Sequence, residues 1–153
     1  MKRVLVGAGL LAFLVPATPA SAADNTVNLV MSNFRYCKAA PCLPTDQGYV
    51  RNPSGGAIPG TDNPTAIIDV PAGATVIWTY EDSFCDAFEM CPGHEVMIED
   101  GTADGNHIGF AKARKGAVTV TYQVTEDPGT LIRYFCHVNS HDQMGQTAIL
   151  RVV

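Results

Sequence analysis

The sequence is short of charge, and of positive charge in particular. Only 16% of its 153 residues are charged, and ten Lys and Arg stand against fifteen Asp and Glu, which gives a formal net charge of −5. An acidic surface repels phosphate groups, so the composition argues against nucleic acid or an anionic membrane as the main partner.

The chain also lacks an apolar run long enough for an ordinary membrane span. An uncharged apolar stretch at residues 4–15 follows a basic dipeptide and precedes Ala-Ser-Ala at residues 20–22. This arrangement is typical of a secretory signal peptide. We expect residues 1–22 to be that signal, residues 23–153 to form one domain, and the protein to be exported to the periplasm or the extracellular space.

No long amphipathic helical pattern is present, and short β-branched and aromatic stretches separated by Gly and Pro turns take its place. Such a pattern predicts an all-β sandwich or barrel with Greek-key connections. The predicted strands are Val27–Met31, Ala66–Val70, Ala74–Tyr80, His94–Ile98, Val118–Val124, Leu131–Cys136 and Thr147–Val153.

Two irregular excursions, residues 37–64 and 81–93, interrupt the strands, and residues 101–109 are also predicted to be a loop. The excursions contain four of the five cysteines, namely Cys37, Cys42, Cys85 and Cys91. In an exported chain these four are expected to form disulfides rather than a zinc site. Four cysteines allow three pairings, and the sequence does not choose among them.

The fifth cysteine lies in a stretch rich in metal ligands, YFCHVNSHDQMGQ at residues 134–146. Cys136 and His141 share a loop between the last two predicted strands, and a loop can turn both side chains toward one point. His94, at the start of a strand after a Pro-Gly turn, is the natural third ligand. Two His and one Cys with a weak axial ligand describe a blue-copper electron-transfer site.

With these residues in place, the sequence resembles the cupredoxin family over nearly all of residues 23–153. The resemblance rests on VPAGATVIWTYED (70–82), GHEVMIED (93–100) and PGTLIRYFCHVNSHDQMGQ (128–146). It implies a cupredoxin-like Greek-key β-sandwich that holds one type 1 copper ion. It also implies that His94, Cys136 and His141 are the principal ligands.

The axial ligand has two candidates. Many cupredoxins use a Met after the second His, and Met144 follows His141 by three residues. The spacing C-x4-H-x4 instead leads past Gly145 to Gln146, which resembles the stellacyanin-type loop with Gln in place of Met. We expect Gln146 and keep Met144 as the alternative. A Gln oxygen is a harder ligand than a thioether sulfur and should lower the reduction potential.

Three further residues bear on the site. Glu95 stands where cupredoxins often have an Asn or Ser that ties the ligand loops together. His137 and His107 are expected to be a structural or surface residue and a loop residue, respectively. By resemblance, the ring of His141 is the expected entry point for electrons.

The predicted function is that of an exported, monomeric, mononuclear type 1 copper protein that carries single electrons between redox partners. No catalytic triad, phosphate loop or substrate-activating base is visible, so we expect a carrier and not an enzyme. The alternatives are a copper-binding or delivery protein, a module serving an oxidase or reductase, and a fold that has lost its metal and acts in recognition.

Overall fold

The computed structural model describes residues 25–82, 93–112 and 118–153. The predicted signal peptide at residues 1–22 lies outside the described residues. So does most of the second excursion, including Cys85 and Cys91. No helix among the described residues is long and apolar enough to cross a membrane.

The described residues form an all-β sandwich of two sheets, which confirms the predicted fold class. One sheet has four strands in the order β2-β1-β4-β7, and the other has five in the order β3-β9-β8-β5-β6. Successive strands repeatedly change sheets, as Greek-key connections require. The strands are β1 (Thr26–Ser32), β2 (Arg35–Cys37), β3 (Ile67–Val70), β4 (Thr75–Tyr80), β5 (His94–Ile98), β6 (Asn106–Ala111), β7 (Thr119–Gln123), β8 (Leu131–Phe135) and β9 (Thr147–Val152).

Strand β4 illustrates how the sequence builds the core. Its residues alternate between half-buried and buried positions, and Val76, Trp78 and Tyr80 point inward. This period of two is that of a strand with one face on the core. Trp78 packs against Tyr134 of the opposite sheet with ring centroids 5.2 Å apart, so the aromatic residues join the two sheets.

The pairing of β5 with β8 sets the position of the predicted ligands. The two strands are antiparallel, with Met97 opposite Phe135 and Ile98 opposite Tyr134. The start of β5 therefore lies beside the loop that follows the end of β8. This places His94 next to the stretch between residues 136 and 146.

Two strands were not predicted. Residues 101–109 were expected to be a loop, but β6 begins at Asn106 and pairs with β5 across an irregularity between Val96 and Met97. Strand β2 has only three residues and pairs with β1 through a tight turn. Both are edge strands. Their residues do not alternate clearly in hydrophobicity, so the sequence pattern does not indicate a strand at either place.

The first excursion is irregular, as predicted, and packs firmly against the sandwich. A disulfide joins Cys37 to Cys42, one of the pairings that the sequence left open. The Gly48 amide donates to the Thr147 carbonyl over 2.8 Å, and the Thr147 hydroxyl donates to the Tyr49 carbonyl. The excursion thus lies against the start of β9, close to the predicted ligand loop.

Candidate metal centre

Three side chains with metal-binding atoms converge at one end of the sandwich. His94 is the first residue of β5, Cys136 directly follows β8, and His141 follows a short 3₁₀ turn at Val138–Ser140. One ligand atom of each lies within 4.8 Å of those of the other two. All three residues are buried, with at most 2% of each exposed. The structure therefore brings together the three principal ligands that the sequence predicts.

The donor spacing suits a single metal ion. His94 Nδ1 and His141 Nδ1 are 3.2 Å apart, and Cys136 Sγ is 3.4 Å from His141 Nδ1. Two nitrogens bound at about 2.0–2.1 Å to one ion lie roughly 3.3–3.6 Å apart at tetrahedral or trigonal angles. The observed separation is close to that range. A thiolate with two imidazoles suits copper or zinc.

Burial also affects the protonation of His141 and Cys136. It lowers the pKa of His141 to about 4, with a further lowering by His94 and a smaller opposing effect of the Gln146 side chain. The His141 ring is therefore neutral at neutral pH and able to bind a metal. Burial raises the pKa of the Cys136 thiol to about 12, so a metal ion must displace the thiol proton to bind the sulfur.

The two candidates for the fourth ligand differ sharply in environment. Gln146 is fully buried, and neither atom of its side-chain amide makes a hydrogen bond of good geometry among the described residues, although the amide lies close enough to the His141 ring to influence its pKa. A buried amide without partners costs roughly 1–3 kcal/mol, so such a group needs an explanation. Met144 is 47% exposed. The chain thus buries the Gln side chain beside His141 and leaves the Met side chain at the surface.

The backbone of the loop is held by its own hydrogen bonds. The Asp142 amide donates to the Cys136 carbonyl over 2.8 Å, and the Gln146 amide donates to the His141 carbonyl over 2.9 Å. Gly145 has a φ of +98°, and a Cβ there would approach Gln47 Oε1 within 2.8 Å. Only glycine fits this position without strain, which explains the Gly directly before Gln146.

Glu95 takes the place expected for the residue that ties the ligand loops together. Its backbone amide points at Cys136 Sγ over 3.4 Å, and its carboxylate accepts a hydrogen bond from the His137 amide over 3.0 Å. The Tyr36 hydroxyl donates to the Glu95 carbonyl. A carboxylate therefore makes the link between β5 and the ligand loop.

The expected entry point for electrons is covered. His141 is only 2% exposed, and the Phe34 ring lies against it edge-on at 4.7 Å between centroids. Phe34 itself is 38% exposed, so the outer surface above the site is a phenyl ring. The side chains of His137 and His107 are about half exposed, as surface residues are, but His107 lies on β6 and not in the predicted loop.

Sequence reasoning missed several residues around the site. Asp82, at the end of one of the stretches that carry the resemblance, is buried with Oδ2 3.6 Å from His94 Nε2. Arg51 and Asp142 form a buried ion pair beside the loop. No spacing or composition marks these residues, because they meet the site only through the tertiary fold.

Comparisons with known proteins find similarity at the level of structure only. No protein-family model matches the sequence, and no curated protein is significantly similar to it.

Among solved structures, the chain is similar to a dithionite-reduced auracyanin from Roseiflexus castenholzii, with 15% identity, a TM-score of 0.47, and coverage of 86% of this chain and 98% of that one. It is also similar to a reduced Cu(I) form of an amicyanin variant, with 16% identity, a TM-score of 0.42 and 88% of each chain covered. A purple cupredoxin from Nitrosopumilus maritimus matches with 16% identity, a TM-score of 0.38, and 83% and 99% coverage. These structures are cupredoxins. Identities and TM-scores this low carry no functional conclusion for this chain.

Proposed function

We propose that this chain is a cupredoxin that holds one type 1 copper ion and carries single electrons between redox partners. One observation carries the proposal. The thiol of Cys136 and the imidazoles of His94 and His141 have ligand atoms within 4.8 Å of one another in a buried site, close enough to bind one ion. This donor set is the one that blue-copper electron-transfer sites use. Copper would supply the one-electron change between Cu(II) and Cu(I).

The chain's own residues keep the site rigid and dry. The ligand loop closes on itself through the Asp142 and Gln146 amides, and Glu95 ties it to β5. Ligands held this way move little when the charge of the ion changes, which favours fast electron transfer over release of the ion. The burial of every ligand therefore favours a carrier over a copper-delivery protein, which needs an accessible site.

We propose Gln146 as the weak axial ligand. Its amide is fully buried beside the His141 ring and makes no hydrogen bond of good geometry among the described residues, whereas Met144 is about half exposed. An amide oxygen is a harder ligand than a thioether and stabilises Cu(II). The reduction potential should therefore be lower than that of the same site with an axial Met.

The remaining parts of the proposal rest on the sequence. The pattern of residues 1–22 supports export to the periplasm or extracellular space. We propose a monomer that meets a redox partner protein, acts on no nucleic acid and is not an enzyme. The net charge of −5 becomes −7 once Lys2 and Arg3 of the predicted signal are removed, which is suited to a partner with a basic docking face.

The test is to express residues 23–153 under oxidising conditions, add Cu(II), and record visible absorption, EPR and reduction potential. We expect an intense blue charge-transfer band that Cys136→Ala abolishes. Gln146→Met should raise the potential. Met144→Leu is the matched control and should barely move it, because the Met144 side chain lies at the surface.

Two results would count against the proposal. A colourless copper-loaded protein, or a weak band that survives Cys136→Ala, would exclude a blue site. If the potential responds to Met144→Leu and not to Gln146→Met, the axial ligand is Met144 and the assignment of Gln146 is wrong.

A further inference from the structure

Arg51, in the irregular first excursion, is a buried cation outside the ligand set. The residue is 3% exposed, yet excursions of this kind usually keep their arginines at the surface. Its guanidinium lies 3.5 Å above the centroid of the Phe135 ring, and Phe135 directly precedes Cys136. The arginine thus lies directly beneath the end of the strand that delivers the thiol.

The guanidinium makes hydrogen bonds in three directions. Nε donates to Glu99 Oε1 over 2.7 Å at the end of β5, and Nη1 donates to Asp142 Oδ2 over 2.8 Å in the ligand loop. Nη2 donates to the carbonyls of Thr102 and Ala103 over 3.0 Å and 2.8 Å. Only the flat, five-donor fork of arginine can reach three separate segments at once.

Asp142 links Arg51 to the residues proposed as metal ligands. It directly follows His141, and its backbone amide donates to the Cys136 carbonyl over 2.8 Å. Its carboxylate is held by Arg51, and Oδ1 also accepts from the Gln143 amide. Asp142 is therefore fixed at both its backbone and its side chain, directly after His141 and bonded to the Cys136 carbonyl.

Stability alone does not explain this cluster. Replacing a buried ion pair with apolar side chains of similar volume is often neutral or stabilising, so a chain that needs only a packed core has no reason to keep one. What the pair provides is a fixed geometry. One buried cation holds two carboxylates, Glu99 directly after the last residue of β5 and Asp142 on the loop of Cys136 and His141.

We propose that Arg51 is a positioning residue of the copper site, which sets the geometry of the ligand loop through Asp142. The expected changes in copper affinity and EPR spectrum rest on the proposed function. The expected change in hydrogen exchange of the metal-free loop does not. The first excursion then has a role in the site, because it carries Arg51, which holds the ligand loop in place through Asp142.

The test compares Arg51→Met, Arg51→Lys and Asp142→Asn with Arg133→Met as the matched control. Arg133 is also an arginine that pairs with a carboxylate between the excursion and β8, through Asp62, but it does not contact the ligand loop. The first readout is amide hydrogen exchange of the metal-free protein, with loop amides such as that of Gln146 compared with amides of β9. The second is Cu(I) affinity and the EPR spectrum of the Cu(II) protein.

We expect Arg51→Met and Asp142→Asn to speed exchange of the loop amides while β9 amides stay protected. Loss of such an outer contact typically costs about 10–100-fold in metal affinity, and the EPR spectrum should change with it. Arg51→Lys keeps the positive charge but loses the planar guanidinium, so its effects on loop exchange and copper affinity should be intermediate. Arg133→Met should change none of these readouts selectively.

The inference is overturned if Arg51→Met accelerates exchange of loop and β9 amides equally, as a general loss of stability would, or if Arg133→Met gives the same loop effect. Should Arg51→Met fail to fold, Asp142→Asn decides the matter, because it leaves the Arg51–Glu99 bond in place. If the wild-type protein forms no blue site, the proposed function fails. The exchange data on the metal-free protein still decide the role of Arg51.

Discussion

At the scale of single residues, the cover over His141 depends on an unusual turn. Asn33 and Phe34 join β1 to β2 with φ values of 52° and 57°, the left-handed pair that a two-residue hairpin turn requires. Glycine usually occupies the second position, and a side chain there costs roughly 1–2 kcal/mol. The turn accepts this cost and thereby holds the Phe34 ring against His141.

Phe34→Gly should therefore uncover His141 without a large loss of stability, because relief of backbone strain offsets the lost ring contact. We expect the copper protein to be reduced several-fold faster by a small inorganic complex in stopped-flow experiments. Ile58→Ala removes an equally exposed side chain from the first excursion and serves as the control. Equal rates for Phe34→Gly and wild type would show that the phenyl ring does not limit access.

The pKa of His141 predicts how the metal-free protein responds to acid. Burial lowers this pKa to about 4, below the value of about 6.5 for an unfolded histidine. Between these values the unfolded chain binds the additional proton, so the free energy of unfolding falls as pH falls from about 6.5 toward 4. Urea titrations across this range should show the loss, and His141→Gln should flatten it. A wild-type slope that persists in the variant would assign the effect to other groups.

The sequence marks the candidate metal ligands more clearly than the residues that support them. Cys136 and His141 lie five residues apart on one loop, so local spacing singles them out as candidates. His94 is distant in sequence, but the turn before it marks the start of a strand. Arg51 and Asp142 are 91 residues apart, and nothing local distinguishes Arg51 from a solvated arginine. Only the tertiary fold brings such residues together.

At the scale of elements, strands with a clear inward face could be predicted and marginal ones could not. Residues of β4 alternate regularly, and its observed bounds differ from the prediction by one residue. Strand β6 contains Gly109 and presents mostly exposed or half-buried residues, so its hydrophobicity carries no strand period. Strand β6 forms because it pairs with β5. The sequence of β6 alone does not contain this information.

The docking of the first excursion onto β9 depends on a close backbone approach at Gly48. A Cβ at this position would lie 2.5 Å from Ala148 Cα, a contact with backbone that cannot move aside. Gly48→Ala should push the excursion away from β9 and cost about 1–3 kcal/mol, as other overpacked sites do. Chemical denaturation measures this cost.

Gly73→Ala provides the comparison for that experiment. Gly73 has a φ of +76° but open space around its Cα, so the substitution carries only the backbone strain of about 1–2 kcal/mol. The two variants should differ in copper affinity, because only Gly48→Ala displaces the excursion that carries Arg51. Unchanged copper binding in Gly48→Ala would mean that the excursion is not coupled to the site.

At the scale of the whole molecule, copper should stabilise the fold, because an ion that binds only the folded chain shifts the unfolding equilibrium. At about a thousandfold excess over the Kd the gain is roughly 4 kcal/mol. Calorimetry with and without Cu(I) should therefore show a higher Tm for the copper-loaded protein. The shift should vanish in Cys136→Ser, and a shift that remains would indicate binding elsewhere.

Strand β9 lies between β3 and β8, parallel to the first and antiparallel to the second. Strand β9 begins at Thr147, directly after Gln146, so this strand closes the ligand loop on one side. Until β9 is in place, β3 has no bond to the rest of its sheet among the described strands. A chain in which β9 has not yet paired holds an open sheet and an unfinished loop. Closure of the candidate metal centre therefore waits for β9 to join β3 to β8.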